Sequence, residues 1–342
     1  MSATVYWAGT QDIDFTFFGS AIVDTNAGRH RPGFVTTGIN PGSAITTDWV
    51  ETIPAFNQST FWVGFRTCNS FAAGNVTNAI PLALLDSSRI TRIRLRFTSG
   101  GNPNNMVVEK VTAAGVATTL ITITGLVWDI PSTGFEATKM DLFVNYAVAG
   151  SISIYYKGIL LGSFTGDVTT DSVTSLAAVR FGNTGSGNSY FVSECMVLNV
   201  DTRACSLNAF LPVANGNTHN FDTGSPAAAN VNETPFNDST VDGSTTANQI
   251  DQYTNAAVAT GSFSVLAFGV VARALKGVSG PTKIDLNVRT GGSDFFSADM
   301  PLTTFWQTYS NWWSQNPNTS ADWTTAQIGN ASGFNIGVKS IT

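Results

Sequence analysis

Alternation of apolar and polar residues with a period of two is the feature that most restricts how this chain can fold. In TRIRLRF, residues 91–97, three apolar residues alternate with three arginines. Successive side chains of a β-strand point to opposite faces of its sheet, so this pattern predicts a strand with one buried face. Similar short runs recur between residues 61 and 200, separated by clusters of Gly, Asn, Ser and Asp. They predict a series of antiparallel strands connected by turns.

The stretch SISIYYKGILLGSFTGDV, residues 151–168, adds a hairpin to this series. The apolar residues of its first half share one face, and Lys157-Gly158 supplies a turn in which glycine can adopt a positive φ. Strands this short, with so little helical periodicity, predict a sandwich of two antiparallel sheets.

Charge is scarce in this chain, and the balance that exists is acidic. Only 12% of the 342 residues are charged, too few to cover the outer faces of long amphipathic helices, so composition also favours an all-β fold. The net charge of −6 argues against nucleic acid or an anionic membrane as partner, because clustered Lys and Arg bind both. The sequence shows no signal-peptide pattern and no apolar stretch near the roughly 18 residues of a membrane span, so we expect no membrane insertion.

The composition changes between residues 215 and 260, which are polar and poor in long apolar runs. A chain of 342 residues is long enough to form two cores. We therefore expect an N-terminal attachment segment or first strands over residues 1–50, a sandwich over residues 51–212, and a smaller β-rich domain over residues 213–342.

One helical pattern stands out near the C-terminus. Large apolar residues recur there mostly at intervals of three and four, ending before a proline: Leu302, Phe305, Trp306, Tyr309, Trp312 and Trp313. The spacing predicts a short aromatic helix whose aromatic side chains either pack in a core or form a platform for stacking sugars. Trp312 and Trp313 are adjacent and cannot point the same way, so they are candidates for binding a partner.

Several motifs occur in a recognisable order. They are the hairpin of residues 151–168, Ser193-Glu194, Asp201-Thr202-Arg203, Leu211-Pro212 and Asn215 to Asn217. This order resembles the concanavalin/laminin-G-like jelly roll found in structural proteins of tailed bacteriophages. The resemblance covers roughly residues 55–342. Cys205 departs from it, because glycine is common at that position after the triplet.

The resemblance implies a jelly-roll β-sandwich in a non-enzymatic virion structural protein, either a head decoration or a component of the tail or fibre. Such a protein would be located in the virion, dock onto other capsid or tail proteins and form a homo-oligomer. Residues 1–50 lie outside the resemblance, but their apolar pieces FTFF and GFVTTGI favour a segment that attaches the protein to the head or tail. The alternative is a receptor-binding, lectin-like module that recognises a glycan on the host surface. A glycan hydrolase is a more distant alternative.

Catalytic motifs are missing from the sequence. The resemblance raises the possibility of a retaining glycanase of the concanavalin-like type. Such enzymes carry two carboxylates about 5 Å apart on one strand, in the pattern E-x-D-x-x-E or E-x-D-x-E. None of the five glutamates stands in that pattern. His30 and His219 lie in polar turns, without a G-x-S-x-G elbow or other residues at metal-ligand spacing. We predict no catalytic residue, no histidine-bound metal and no enzymatic activity.

Aspartates in polar turns are the remaining candidates for a metal. SFTGDVTTD contains Asp167 and Asp171, and NDSTVDG contains Asp238 and Asp242. Calcium prefers several oxygen ligands, and rim loops of lectin-like jelly rolls often supply them. Asp and Asn beside Gly more commonly form turns. We therefore expect no cofactor and keep Ca²⁺ at these four aspartates as the alternative.

The arginines of TRIRLRF are the most unusual charged group in this acidic chain. Arg92, Arg94 and Arg96 project from one face of the predicted strand and repel one another unless carboxylates oppose them. Those carboxylates belong either to neighbouring strands or to a partner protein. The three arginines are therefore candidates, together with the two adjacent tryptophans, for binding a partner.

Overall fold

The structure is a computed structural model. It describes residues 3–9, 15–18, 22–24, 38–40, 49–52, 55–70, 78–99, 104–127, 138–182, 189–223, 227–232, 238–256, 263–329 and 333–342. The chain divides into two units. The N-terminal unit is Tyr6–Ala209, and the C-terminal unit is Phe210–Thr342 together with Met1–Val5. The division therefore falls three residues before the boundary that composition predicts.

The N-terminal unit is a sandwich of two largely antiparallel sheets, which confirms the predicted all-β class. Sheet A contains β1 (Val5–Gly9), β3 (Ile22–Asp24), β4 (Gly38–Asn40), β6 (Thr60–Ser70), β11 (Thr138–Asn145), β12 (Gly150–Tyr156), β13 (Ile159–Gly166) and β15 (Ser189–Leu198). Sheet B contains β2 (Phe15–Phe18), β5 (Trp49–Thr52), β7 (Leu82–Leu85), β8 (Thr91–Phe97), β9 (Asn104–Val111), β10 (Ala117–Leu126) and β14 (Ala178–Gly182).

The order of strands in each sheet mixes distant parts of the chain. Sheet A runs β13-β12-β11-β6-β15-β4-β3, with β1 beside β15, and sheet B runs β10-β9-β8-β7-β14-β5-β2. The described strands of residues 1–50 therefore complete both sheets, as the predicted first strands would. The other positions of that segment lie outside the described residues, and its attachment role stays a prediction.

Side chains from both sheets form one apolar core. The inward-facing residues of β6 are fully buried, and Phe65 meets Phe181 of sheet B edge-on with ring centroids 5.1 Å apart. Each fully buried aromatic or large aliphatic side chain contributes roughly 1.5–3 kcal/mol to such a core. The alternation in the sequence is thus the alternation between this core and the two outer faces.

The predicted hairpin of residues 151–168 is confirmed. Strands β12 and β13 pair from Gly150 opposite Gly166 to Tyr156 opposite Ile159. Lys157 and Gly158 have φ values of 55° and 75°, so both central residues of the turn adopt the left-handed conformation that tight hairpins require.

The C-terminal unit has a core of its own. One sheet contains β16 (Pro212–His219), β17 (Ile250–Asn255), β19 (Lys283–Thr290), β20 (Ser293–Phe296), β21 (Met300–Pro301) and β23 (Asn335–Ile341). Strands β18 (Phe268–Ala274) and β22 (Gln307–Trp313) pair separately, and α1 (Ala227–Asn230) and α2 (Thr325–Ile328) are short. No helix in the described part of the chain is long and apolar enough to cross a membrane.

The predicted aromatic helix is wrong, because Tyr309, Trp312 and Trp313 lie in strand β22, and Leu302, Phe305 and Trp306 precede that strand outside any helix. Trp313 lies opposite Phe268 of β18 and contacts the apolar core, whereas Trp312 points to the other face and packs on Gly269. A Cβ at Gly269 would lie 2.6 Å from the indole of Trp312. Aromatic residues also favour strands, and pairing with β18 outweighs the helical spacing. Partner binding by the two tryptophans stays a prediction.

Candidate functional site

Three aromatic side chains project from the outer face of sheet A, away from the core. Trp62 of β6 lies directly opposite Phe143 of β11, with ring centroids 5.2 Å apart. Tyr155 of β12 stacks beside Trp62 at 5.7 Å, with an angle of 29° between the ring planes. All three side chains are partly exposed. We call this group, Trp62, Phe143 and Tyr155, the aromatic face.

A charged pair borders the aromatic face. The guanidinium carbon of Arg203 lies 4.5 Å from the ring centroid of Tyr155 and 5.6 Å from that of Trp62. Asp201 accepts hydrogen bonds from Arg203 Nε at 3.0 and 2.9 Å, and these bonds lower the pKa of Asp201. The side chains of Arg203 and Asp201 are 40% and 41% exposed. The face therefore offers aromatic rings, a guanidinium and a carboxylate to solvent.

The turn that carries Arg203 is anchored to the sheet beneath it. Thr202 is fully buried, and its hydroxyl donates a 2.7 Å hydrogen bond to Asp141 Oδ1. The turn packs so closely on β6 that a Cβ at Gly64 would lie 2.8 Å from Thr202 Cβ. The ammonium of Lys139 donates to the backbone carbonyl oxygens of Thr202 and Cys205. The Asp201-Thr202-Arg203 triplet thus fixes the position of the guanidinium over the rings.

A buried ion pair supports this anchor. Lys139 Nζ lies 3.7 Å from Asp141 Oδ1, and Asp141 has no exposed surface. Burial is the main cause that raises the pKa of Asp141 and lowers the pKa of Lys139, because it disfavours both charged forms. Loss of either partner would leave a buried charge, so the pair is required for the local structure.

The arginines of β8 lie on the outer face of sheet B. Glu109 of β9 stands opposite Arg94 and accepts hydrogen bonds from Arg94 Nε at 2.7 Å and Arg96 Nη2 at 2.5 Å. Burial opposes ionisation of Glu109, yet the bonds from Arg96 and Arg94 lower its pKa. Arg92 binds Asp86 at 2.8 Å. The opposing carboxylates therefore lie within the chain, and a partner contact through this face stays a prediction.

Three of the four aspartates considered for calcium bind basic side chains instead. Asp167 binds Lys110, Asp171 binds Arg92, and Asp238 binds Arg273. The hydrogen bonds from Thr169 and Lys110 lower the pKa of Asp167 to about 2.

Asp242 is the exception among the four. It lies beside Asp251 and His219, and these residues form the one group of three potential metal ligands found in the described residues. Sequence reasoning missed it, because His219 and Asp251 are 32 positions apart and meet only through strand pairing. His30 lies outside the described residues.

The aromatic face was also missed, although the sequence carries a signal for it. In each of β6, β11 and β12 an aromatic residue occupies a position where alternation predicts a polar, outward-facing side chain. Trp62 stands between two buried residues of β6, for example. An aromatic residue at such a position leaves apolar surface exposed to water, and three together make this face a candidate for contact with a ligand or a partner.

Comparison with known proteins gives likeness of fold only. No protein-family model and no curated protein matches the sequence. An endo-beta-1,4-glucuronan lyase from the fungus Trichoderma reesei has a TM-score of 0.42 and 10% identity, over 58% of this chain and 97% of its own. The Emp47p carbohydrate recognition domain has a TM-score of 0.38 and 8% identity, over 58% and 96%.

A third similar structure is the binding domain of botulinum neurotoxin DC in complex with SialylT. Its TM-score is 0.37 and its identity 9%, over 100% of this chain and 95% of its own. At such identities and TM-scores these likenesses carry no argument about what this chain binds.

Proposed function

We propose that this protein is a non-enzymatic carbohydrate-binding protein that holds a glycan on the aromatic face of sheet A. The observation that carries the proposal is the partly exposed group of Trp62, Phe143 and Tyr155 with Arg203 and Asp201 at its border. A pyranose ring has an apolar C–H surface and a rim of hydroxyl groups. Aromatic rings suit the first, and a few placed polar groups fix the orientation of the second.

The absence of a catalytic role is part of the proposal. Three carboxylates on described strands and turns of sheet A contact basic side chains: Asp201 binds Arg203, Asp141 faces Lys139, and Glu194 binds Arg66. Glycoside hydrolysis requires one carboxyl group that holds a proton and a second, ionised one across the bond, about 5–9.5 Å away. The hydrogen bonds from Arg203 lower the pKa of Asp201, which makes it a poor proton donor, and Asp141 has no exposed surface from which to reach a glycan. This arrangement supports binding over hydrolysis.

Screening of the full chain against an array of neutral and acidic glycans tests the proposal. We expect binding to a subset of glycans and a loss of at least about tenfold in the Trp62→Ala variant, because the central ring of the face is removed. Phe305→Ala is the matched control, since that aromatic side chain is 65% exposed but lies in the C-terminal unit. Binding that is absent in the wild type, or equal in the two variants, would overturn the proposal.

A virion structural role is the second candidate, and exposed apolar residues on β13 favour it. Strand β13 stands at one end of the described strand order of sheet A, and its Ile159 and Leu160 are 68% and 51% exposed. Exposed apolar residues on an edge strand suit docking onto another protein. The order of motifs that resembles phage proteins supports the same role.

Incorporation into particles separates the two candidates. If docking occurs through β13, an Ile159→Lys, Leu160→Lys variant will be lost from purified virions while its glycan binding persists. Electron microscopy of the wild-type particle would then give copy number and position. A chain that never co-purifies with particles would contradict the virion role and leave glycan binding as the function.

A further inference from the structure

A histidine and two aspartates meet in the C-terminal unit, apart from the aromatic face. His219 ends β16, Asp251 lies directly opposite it in β17, and Asp242 comes from the segment before β17. Their potential ligand atoms all lie within 4.8 Å of one another. His219 Nδ1 is in hydrogen-bond contact with Asp251 Oδ1.

The chain holds Asp242 in this place by fixed local structure. Gly243 and Thr223 form a two-way backbone bridge, with hydrogen bonds of 2.9 and 3.1 Å. The two residues pack closely, since a Cβ at position 243 would lie 2.5 Å from Thr223 Oγ1. Beside it, the carboxylate of Asp222 accepts a 2.9 Å hydrogen bond from the backbone of Thr245. A turn held by these hydrogen bonds therefore positions Asp242 in the cluster.

The two carboxylates of the cluster lack a cationic side chain. Asp251 is fully buried, and Tyr253 Oη lies 2.9 Å from Asp242 Oδ2 and 2.5 Å from Asp251 Oδ2. The hydroxyl has one proton and can donate it to only one of them at a time. Across the described part of the chain, the group in contact with them that can carry positive charge is His219. A pair of this kind must hold a proton or a cation.

This cluster differs from the other aspartates in the chain. Asp167, Asp171 and Asp238 are neutralised by Lys or Arg, as described above. Burial and the contacts of Asp242 with Asp251 raise the pKa of Asp242, whereas the pKa values of Asp167, Asp171 and Asp238 are lowered.

We propose that His219, Asp242 and Asp251 form a binding site for a first-row divalent transition metal ion, with Zn²⁺ as the reference ion. One imidazole nitrogen and two carboxylate oxygens are ligands that zinc accepts, at about 2.0–2.2 Å. Calcium prefers six or more oxygen ligands, which this cluster does not provide. In the bound state, Tyr253 donates its hydroxyl to a carboxylate oxygen that is not bound to the metal.

Calorimetric titration of the full chain with ZnCl₂ at pH 7.5 tests the site. A Cys205→Ser background removes the partly exposed thiol as a competing ligand. We expect one ion per chain and at least about tenfold weaker binding in His219→Gln and in Asp242→Asn, because each loses a ligand. Asp238→Asn is the control, since that residue lies in the same segment but binds Arg273, and its affinity should equal that of the background. Absence of saturable binding, or equal binding by all variants, would overturn the proposal.

A comparison of cations keeps the test decisive. Zn²⁺ should raise the melting temperature and Ca²⁺ should not, because one imidazole nitrogen and two carboxylate oxygens suit zinc and give calcium too few oxygen ligands. Equal stabilisation by Ca²⁺ and Zn²⁺ would contradict the proposed ligand set. If Asp242→Asn fails to fold, Tyr253→Phe replaces it. Loss of that supporting hydrogen bond should weaken zinc binding by about 10-fold or more.

Discussion

The two outer faces of the sandwich use arginine differently. On sheet B, Arg94 and Arg96 share Glu109, which is only 3% exposed, so their charge is neutralised inside the sheet. On sheet A, Arg203 is 40% exposed and lies over the rings of Tyr155 and Trp62. The first arrangement stabilises the fold and presents few unsatisfied groups. The second leaves aromatic and charged surface open to a ligand.

The largest effect is expected from Glu109→Gln on sheet B. The change leaves Arg94 and Arg96 without their carboxylate in a largely buried setting, and we expect a loss of about 3–5 kcal/mol in the free energy of unfolding. Urea unfolding measures it. Asp201→Asn is the control on sheet A, since an exposed pair contributes only about 0–1 kcal/mol. Equal losses of unfolding free energy in the two variants would show that the ion pairs of the two faces contribute equally to stability.

Gly64→Ala should have the next largest effect, because it pushes the turn of Arg203 away from sheet A. The added Cβ would lie 2.8 Å from Thr202 Cβ, and overpacking of this kind costs about 1–3 kcal/mol. Glycan binding should weaken as well, since Arg203 moves with the turn. Thr202→Gly removes the colliding atoms, so the double variant should be more stable than the sum of the single losses predicts. Simple additivity would show that the two residues do not meet.

Acid unfolding should depend on Glu109 and not on the aromatic face. The pKa of Glu109 is lowered in the folded state, so its contribution to stability is present above the ordinary pKa of 4.5 and is lost as pH falls through the folded value. Unfolding free energies measured from pH 6 to pH 2.5 should therefore decline less steeply in Glu109→Gln than in the wild type. Trp62→Ala should leave the slope unchanged. A wild-type slope in the glutamine variant would contradict the proposed role of Glu109.

The smallest effect is expected from Arg203→Lys. Lysine keeps the charge but loses the planar guanidinium that stacks on Tyr155 and binds Asp201 through two nitrogens. The stacking is worth about 0.5–1 kcal/mol at an exposed site, so we expect glycan affinity to fall a few-fold with little change in stability. Calorimetric titration measures the change. Unaltered affinity would show that the ligand does not use the guanidinium.

Local patterns in the sequence predicted much of the fold. The hairpin at Lys157-Gly158 and the half-buried strand of Arg92 to Phe97 follow from period-two alternation and turn chemistry, which act over a few residues. The same reasoning gave the wrong structure for the aromatic segment 307–313. The spacing of its aromatic residues fits both a helix and a strand, and only pairing with β18 decides between the two. Strand pairing of this kind is set by distant residues.

The candidate sites were harder to predict, because strand pairing and strand order bring their residues together. Trp62 and Tyr155 are separated by 93 positions and become neighbours only because β11 lies between β6 and β12. His219 meets Asp251 through the pairing of β16 with β17. Spacing along the chain carries no information about either contact. Alternation within each strand therefore marks the outward aromatic positions, but not that they meet, and no local motif marks the cluster of His219.

Titration of three variants with one glycan that the wild type binds decides whether the aromatic face of sheet A is the binding site. We predict that Trp62→Ala loses at least about tenfold in glycan affinity. Its midpoint of urea unfolding should stay close to that of the wild type. Glu109→Gln should unfold at much lower urea yet bind the glycan with unchanged affinity where it is folded, and Phe305→Ala should match the wild type in both. If Trp62→Ala binds as tightly as Phe305→Ala, the aromatic face of sheet A is not the binding site.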